Sequence, residues 1–382
     1  MQLTKKQKLE GWRIVKFGDV AQEIKASTKD PLTEGIERYI GLEHINPESL
    51  RLARWGSIAE DNPTFTKKFS AGDILFGRRR VYLKKAAVAE FDGICSGDII
   101  VIVPKGDILV PELLPFIIQS EPFFDWGVKH SAGGLSPRTK FKSLAEFEFP
   151  LPPRTQQEKM LGIYEKIEQT LFEYDEAIAK GHLFLEKLIK DSVFAENHDD
   201  EFVSLSSLVE EVRKHFRPDK NSPAISYVGF EHIDSDSIQI KDYGCSSDIH
   251  SNKLYFQDGD ILYGKIRPYL KKTALADFDG VCSSDIIVLR PTNDDFKDLL
   301  SLIIKSDHFS NLAMNTVSGS KMPRANWKIL SSVKINKTAL ENREFNTCVK
   351  NIVELIRKAK INKNKSITVK NKVNEKFLGE PA

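Results

Sequence analysis

Four sets of residues in this 382-residue chain have types and spacings that suggest chemistry. The segment Gly259-Asp260-Ile261-Leu262-Tyr263-Gly264-Lys265 has the outline of a phosphate-binding loop, in which glycine amides and a lysine cradle phosphates. Ile266 stands where a Ser or Thr must hold the metal, and Asp-Ile-Leu reads as a strand rather than a cradle. Glu23-Ile24-Lys25 with Asp19 has the composition of a nuclease carboxylate–lysine set, but no separate metal-binding Asp on a strand accompanies it. Glu43-His44 and Glu231-His232 could suggest acid–base pairs, but read better as strand-end pairs that orient a loop or pack. Cys95, Cys245, Cys282 and Cys348 are scattered, with neither a disulfide framework nor zinc-ligand spacing, and are expected as reduced thiols. With no G-x-G-x-x-G, nucleophile elbow or H-E-x-x-H, the expectation is no catalytic, metal or cofactor site.

Positive charge is the remaining chemistry. The net charge is only +2, so placement matters more than total. Between 67 and 85 lie Lys67, Lys68, Arg78, Arg79, Arg80, Lys84 and Lys85 against one acid, Asp73. Between 253 and 272 lie Lys253, Lys265, Arg267, Lys271 and Lys272 against Asp258 and Asp260. A second patch follows in each half: Arg138, Lys140 and Lys142, then Lys321, Arg324 and Lys328, beside small residues at 131–136 and 318–320. Lys and Arg suit a phosphate backbone, and Arg also reads guanine bidentately. One such run alone reads as a solvated face. Two patches recurring at equivalent places favour a nucleic-acid surface. Tyr82, Tyr269 and Trp327 are interleaved with them and suit a core equally well.

The elements that must hold these patches are written twice. Residues 72–104 and 259–291 align without gaps, and 22 of the 33 positions are identical. YIGLEHI at 39–45 matches YVGFEHI at 227–233, and 135–144 weakly matches 321–330, at offsets of 186 to 188. Two large modules in tandem follow, rather than a solenoid. Each opens with an amphipathic stretch, 15–25 and 203–213, which is predicted to be helical. Strands are predicted at 39–42, 73–76 and 99–103 and at their copies, then helical apolar segments at 111–124 and 298–314. Prolines at 150, 152 and 153 stop regular structure. From about 155, Met160, Tyr164, Ile167, Leu171, Tyr174, Ile178, Leu185 and Leu188 form a heptad seam, with Gly181 in its one gap. Phe345, Val349, Ile352, Ile356 and Ala359 form a second seam. Each seam asks for a partner helix, and an antiparallel pair would put the modules at opposite ends of one rod.

Hydrophobic residues make up 41% and charged residues 29%, a mixture that buries a core. No apolar run approaches the ~20 residues that span a bilayer, and the polar N-terminus reads as no signal peptide, so the expected location is the cytoplasm with no membrane partner.

The tandem layout, the duplicated Gly-Asp-Ile-Leu at 72–75 and 259–262, the Leu135-Ser136-Pro137 loop, and the proline-rich 149–153 followed by Gln156-Gln157-Glu158 together resemble type I restriction–modification specificity subunits. The second half departs from that pattern with Ile335-Asn336-Lys337 in place of the proline run. The resemblance implies a mixed α/β chain, with two tandem α+β target-recognition domains joined by two long helices in an antiparallel coiled coil. The expected boundaries are 1–150, 151–197 (first helix), 198–337 and 338–382 (second helix). It implies double-stranded DNA as ligand, each module reading half of an asymmetric bipartite site. It also implies two methyltransferase subunits and the restriction–translocase subunits as partners. S-adenosylmethionine, Mg²⁺ and ATP would belong to those partners, and this chain would be non-catalytic. Two other readings stand beside it: a single-chain restriction–methylation enzyme, and a coiled-coil scaffold that binds protein.

Overall fold

The computed structural model describes residues 3–195, 200–217, 224–245, 251–317 and 323–378. The chain divides into two units, Met1–Tyr174 with Ile361–Ala382, and Asp175–Lys360. Each holds one module and a stretch of both long helices.

In the first unit, a four-stranded antiparallel sheet has the order Ala21–Ile24, Ile99–Pro104, Ile74–Gly77, Ala86–Val88. Successive side chains of a strand point to opposite faces. Ile74, Phe76, Ile100 and Ile102 therefore pack on one side with the helices Leu114–Ile118 and Glu121–Lys129. Leu75, Ala87, Ile99 and Val101 pack on the other with Ile40, Phe69 and Cys95 of a second sheet. That sheet runs Gly56–Ser57, Arg38–Ile40, Gly93–Cys95, Lys67–Phe69. Burial on both faces explains why Ile74–Gly77 is apolar without alternation.

The second unit repeats the plan, residue for residue, in its central sheet. The order is Val209–Val212, Ile286–Pro291, Ile261–Gly264, Thr273–Leu275. Leu262 faces Ala274 and Val288 as Leu75 faces Ala87 and Val101. Its second sheet has five strands among the described residues.

The predicted opening helices are corrected. Residues 15–25 and 203–213 are strand, one helical turn, then strand: Arg13–Lys16, Phe17–Val20, Ala21–Ile24, and Phe202–Ser204, Leu205–Leu208, Val209–Val212. The first strand of each pairs with the end of its module, Glu148–Leu151 or Lys334–Asn336, and the second joins the central sheet. The apolar helical segments are present but broken, at Gln119–Ser120 and at Ser306, whose side chain caps the next helix.

The long helices span Arg154–Ile189 and Arg343–Leu378 and run antiparallel. In the first unit, the buried Tyr164 hydroxyl hydrogen-bonds Asn374 Oδ1 at 2.6 Å, and Lys370 Nζ lies 2.6 Å from Glu168 Oε1. In the second unit Gly181 faces Ile356, and a Cβ at 181 would lie 2.7 Å from Ile356 Cγ1. The glycine is thus a point of close approach rather than a gap in the seam. Tyr164→Phe should leave the buried Asn374 oxygen without its donor and destabilise the chain by about 1–3 kcal/mol. Urea unfolding checks this, and an unchanged midpoint would show that the hydroxyl contributes nothing. Among the described residues, no helix is long and apolar enough to cross a membrane.

Candidate nucleic-acid interface

Most of the basic residues of each module lie on one turn or on the loop bonded to it. Residues 78–85 join Ile74–Gly77 to Ala86–Val88, and 265–272 join Ile261–Gly264 to Thr273–Leu275. The chain doubles back tightly: Gly77 N donates to Lys85 O and Gly264 N to Lys272 O, both at 2.8 Å. At the tip sits a single 3₁₀ turn, Val81–Leu83 or Pro268–Leu270. It is flanked by left-handed residues that are not glycine: Arg80 and Lys84 at φ 53° and 50°, Arg267 and Lys271 both at 48°. Such residues cost roughly 1–3 kcal/mol each and cluster at functional sites, where surrounding contacts enforce them. Here the strain recurs at both flanks of the turn in both modules. The tip inserts Val81 or Pro268 into the core and leaves Tyr82 and Tyr269 54% and 52% exposed. Tyr82 and Tyr269 are therefore not core residues, whereas Trp327 is half-buried against the second core.

The second basic patch is tied to the same turn. Arg80 N donates to Pro137 O and Arg267 N to Pro323 O, each at 2.8 Å. Thr139 N reaches Arg78 O, and Ala325 N reaches Lys265 O. In the first module the 132–138 loop closes through two hydrogen bonds between Ala132 and Arg138, and carries Leu135 fully out into solvent. Its copy is only partly visible, because Lys321 and residues 318–320 lie outside the described residues.

The candidate cations divide into two groups. Lys67 Nζ donates to Ile99 O at 2.6 Å, Lys85 Nζ to Leu42 O at 2.6 Å, and Lys272 Nζ to Phe230 O at 2.9 Å. Lys253 is buried and bonded to Ser251. Lys68 pairs with Glu34, Lys84 with Glu48 and Glu121, and Lys271 with Asp307 and Glu186. These seven mainly hold the modules together. Arg80, Lys140, Arg267 and Lys328 are exposed, with no side-chain partner among the described residues. Arg78 is half-buried and donates to Thr139 O at 3.0 Å, and Lys265, its counterpart in the second module, is also half-buried.

Between the groups stands an acid that the charge pattern did not reveal. Asp98 accepts from Arg138 Nε at 2.7 Å and lies 3.5 Å from Arg79, which also reaches Ser136 Oγ. The Arg138 hydrogen bond holds the Asp98 carboxyl below the ordinary aspartate range. Asp285 takes Arg324 at 3.7 Å in the copy. Both acids close the duplicated Phe-Asp-Gly-x-Cys-Ser-x-Asp, which was the available signal. Arg79, Arg138 and Arg324 are thus oriented by carboxylates, with their side chains still partly exposed.

The enzyme-like motifs resolve into structure. Asp260–Gly264 lies in the turn and strand, not a phosphate cradle, and Glu23 lies in a strand rather than on a helix. His44 Nδ1 accepts from Gly41 N at 3.0 Å, and His232 Nδ1 from Gly229 N at 2.9 Å. These pairs cap 3₁₀ turns.

Comparison with known proteins relates part of the sequence, and the fold, to a known family. The profile of the type I restriction modification DNA specificity domain matches residues 9–179. Over that stretch the chain is similar to the type I restriction–modification specificity subunits. It is 31% identical over 170 residues to the type I restriction enzyme EcoDI specificity subunit of Escherichia coli, a match that takes in 44% of this chain and 36% of that relative. The fold of the specificity subunit is shared along the whole chain. A chain of a solved type I R-M system superposes with TM-score 0.54 at 16% identity, covering 97% of this chain and 98% of that one. The type I restriction–modification S subunit from M. genitalium does so with TM-score 0.56 at 10% identity, covering 100% and 99%.

Proposed function

We propose that this chain is a type I restriction–modification specificity subunit that binds double-stranded DNA through its two strained basic turns, one per half-site of an asymmetric bipartite sequence. The observation that carries the reading is the duplicated turn itself. At equivalent positions, Arg80 and Arg267 are held out by left-handed backbone and braced by a second basic loop. Strain kept twice at a solvent-facing tip needs a function that packing does not supply. The modules share this scaffold but differ in the side chains on it: Arg79 against Ile266, Val81 against Pro268, Leu135 against Lys321. Two half-sites of different sequence follow.

The chain carries no chemistry in this reading. Methyl transfer and cleavage belong to two methyltransferase subunits and to restriction–translocase subunits that assemble on it, and the assembly works on DNA in the cytoplasm. The expected domain boundaries, 1–150 and 198–337 for recognition and 151–197 and 338–382 for the helices, remain part of this proposal. Base modification mapped across the host genome with and without the gene tests it. One bipartite motif should lose its methylation when the gene is removed. An unchanged pattern contradicts it, as does methylation by the purified chain with S-adenosylmethionine alone.

A further inference from the structure

Beneath each recognition turn lies a polar side chain, buried in the first module and half-buried in the second, that braces the turn from behind. In the first module it is Gln119, 8% exposed, at the break between Leu114–Ile118 and Glu121–Lys129. Its Nε2 donates to Ala86 O, just past the turn, and to Ser49 O at 3.2 Å. In the second module the equivalent position, 186 residues on, is Lys305, at the end of the helix Lys297–Lys305. Its Nζ donates to Lys271 O at 2.9 Å, the last left-handed residue of the turn, and to Asp234 O at 3.1 Å. Serine follows in both copies, then an acid that pairs with the turn's lysine: Glu121 with Lys84, Asp307 with Lys271. The two braces join the same pieces of the module, one with a neutral amide and the other with an ammonium.

We propose that Gln119 and Lys305 are positioning residues that seat the two recognition turns, and that the charge of Lys305 makes the second seat the easier to open near neutral pH. The role in recognition rests on the reading that these turns meet DNA; the seating itself does not. The charge is poorly accommodated. Lys305 faces Asp234 and Asp236 from the first edge of the module, Lys271 from the turn, and Lys360 from the second long helix. His182 and Glu186 of the first long helix complete the surroundings. Burial lowers the Lys305 ammonium from its ordinary 10.5 to about 8, further assisted by Lys271 and Lys360 and only partly opposed by the two aspartates. An opened turn that hydrates Lys305 restores the ordinary value. Between about 8 and 10.5 the open form then binds more protons than the closed form, so raising the pH through that window favours the closed turn. Gln119 has no proton to gain or lose, so the first turn has no such dependence.

Amide hydrogen exchange on the full-length chain, corrected for the intrinsic pH dependence, reads each seat separately. From about pH 7 to about pH 9.5, protection of 264–273 should rise on the order of twentyfold, while 77–86 stays level. Lys305→Gln should abolish the rise and protect the second turn at neutral pH. Gln119→Lys should transfer the rise to the first turn. Lys305→Met, which donates no hydrogen bond, should leave 264–273 exposed at both pH values, and Lys305→Gln distinguishes this from general unfolding. A level wild-type profile at 264–273, or a rise that survives Lys305→Gln, overturns the proposal. Binding of a mixed-sequence duplex at neutral pH supplies the second arm: Lys305→Met should weaken it several-fold and Lys305→Gln should restore it. If the wild-type chain binds no duplex, the reading of the turns as DNA contacts fails, and the exchange data judge the seat alone.

Discussion

Replacing Arg80 and Arg267 together with alanine should weaken duplex binding about a hundredfold and flatten its salt dependence. Each is an exposed guanidinium with no partner among the described residues, so a phosphate contact would be its main interaction. A charge-assisted contact of ~1.5 kcal/mol is about tenfold in affinity. Each lost phosphate contact lowers the log–log salt slope by roughly 0.9, or ~1.8 for the pair. Arg79 and Arg138 should contribute less, because Asp98 already neutralises part of their charge. Lys67→Met and Lys85→Met supply the contrast. Their ammonium groups serve the Ile99 and Leu42 carbonyls, so these changes should lower stability and leave the slope alone. Titrations at several salt concentrations separate the two. An unchanged slope in the Arg80–Arg267 variant would place these arginines against solvent or protein.

Replacing Arg290 with valine should be the more damaging change to the second module's fold. The aspartate of Gly-Asp-Ile-Leu is half-buried in the first copy and fully buried in the second. Asp260 is 1% exposed and accepts a bidentate pair from Arg290 Nε and Nη2, each at 2.8 Å. Asp73 has Val103 where Arg290 stands, and burial raises its carboxyl above the ordinary range. Removing one partner of a fully buried pair costs about 3–5 kcal/mol. Arg290 is 40% exposed, so solvent already screens part of the interaction, and roughly 2 kcal/mol is the expected loss. Urea unfolding of the second module's signal measures it. A change below the error of the midpoint would mean that Asp260 relaxes into the state Asp73 already occupies.

Much of this organisation was legible in the residues, for physical reasons. A duplicated strand–turn–strand keeps its identity because four buried strand positions and a backbone reversal restrict substitution, as the shared register of Leu75 and Leu262 shows. Heptad spacing revealed the long helices, since a seam that long has few other uses. The opening segments misled. Val15, Phe17, Val20 and Ile24 have helical spacing because one helical turn lies between two strands whose partners are about 80 and 130 residues away. Such distant pairing overrides local pattern. The basic patches were found, but their division was not. Whether a lysine reaches water or a neighbouring carbonyl depends on contacts such as Lys85 with Leu42 and Lys272 with Phe230, which no local pattern encodes. Gln119 and Lys305 were missed for the same reason: an isolated polar residue in an apolar segment carries no charge pattern.

One exchange of modules tests most directly whether each module reads its own half-site. Residues 12–150 replaced by the same region of a related specificity subunit, in a host that supplies the partner subunits, should alter one half of the methylated motif. The other half should stay as it was, since the second module and its turn at 265–272 are untouched. Methylome sequencing of the exchanged strain reads both halves at once. A motif changed in one half only is the predicted result. A motif changed in both halves, or in neither, would contradict the assignment of one module to each half-site.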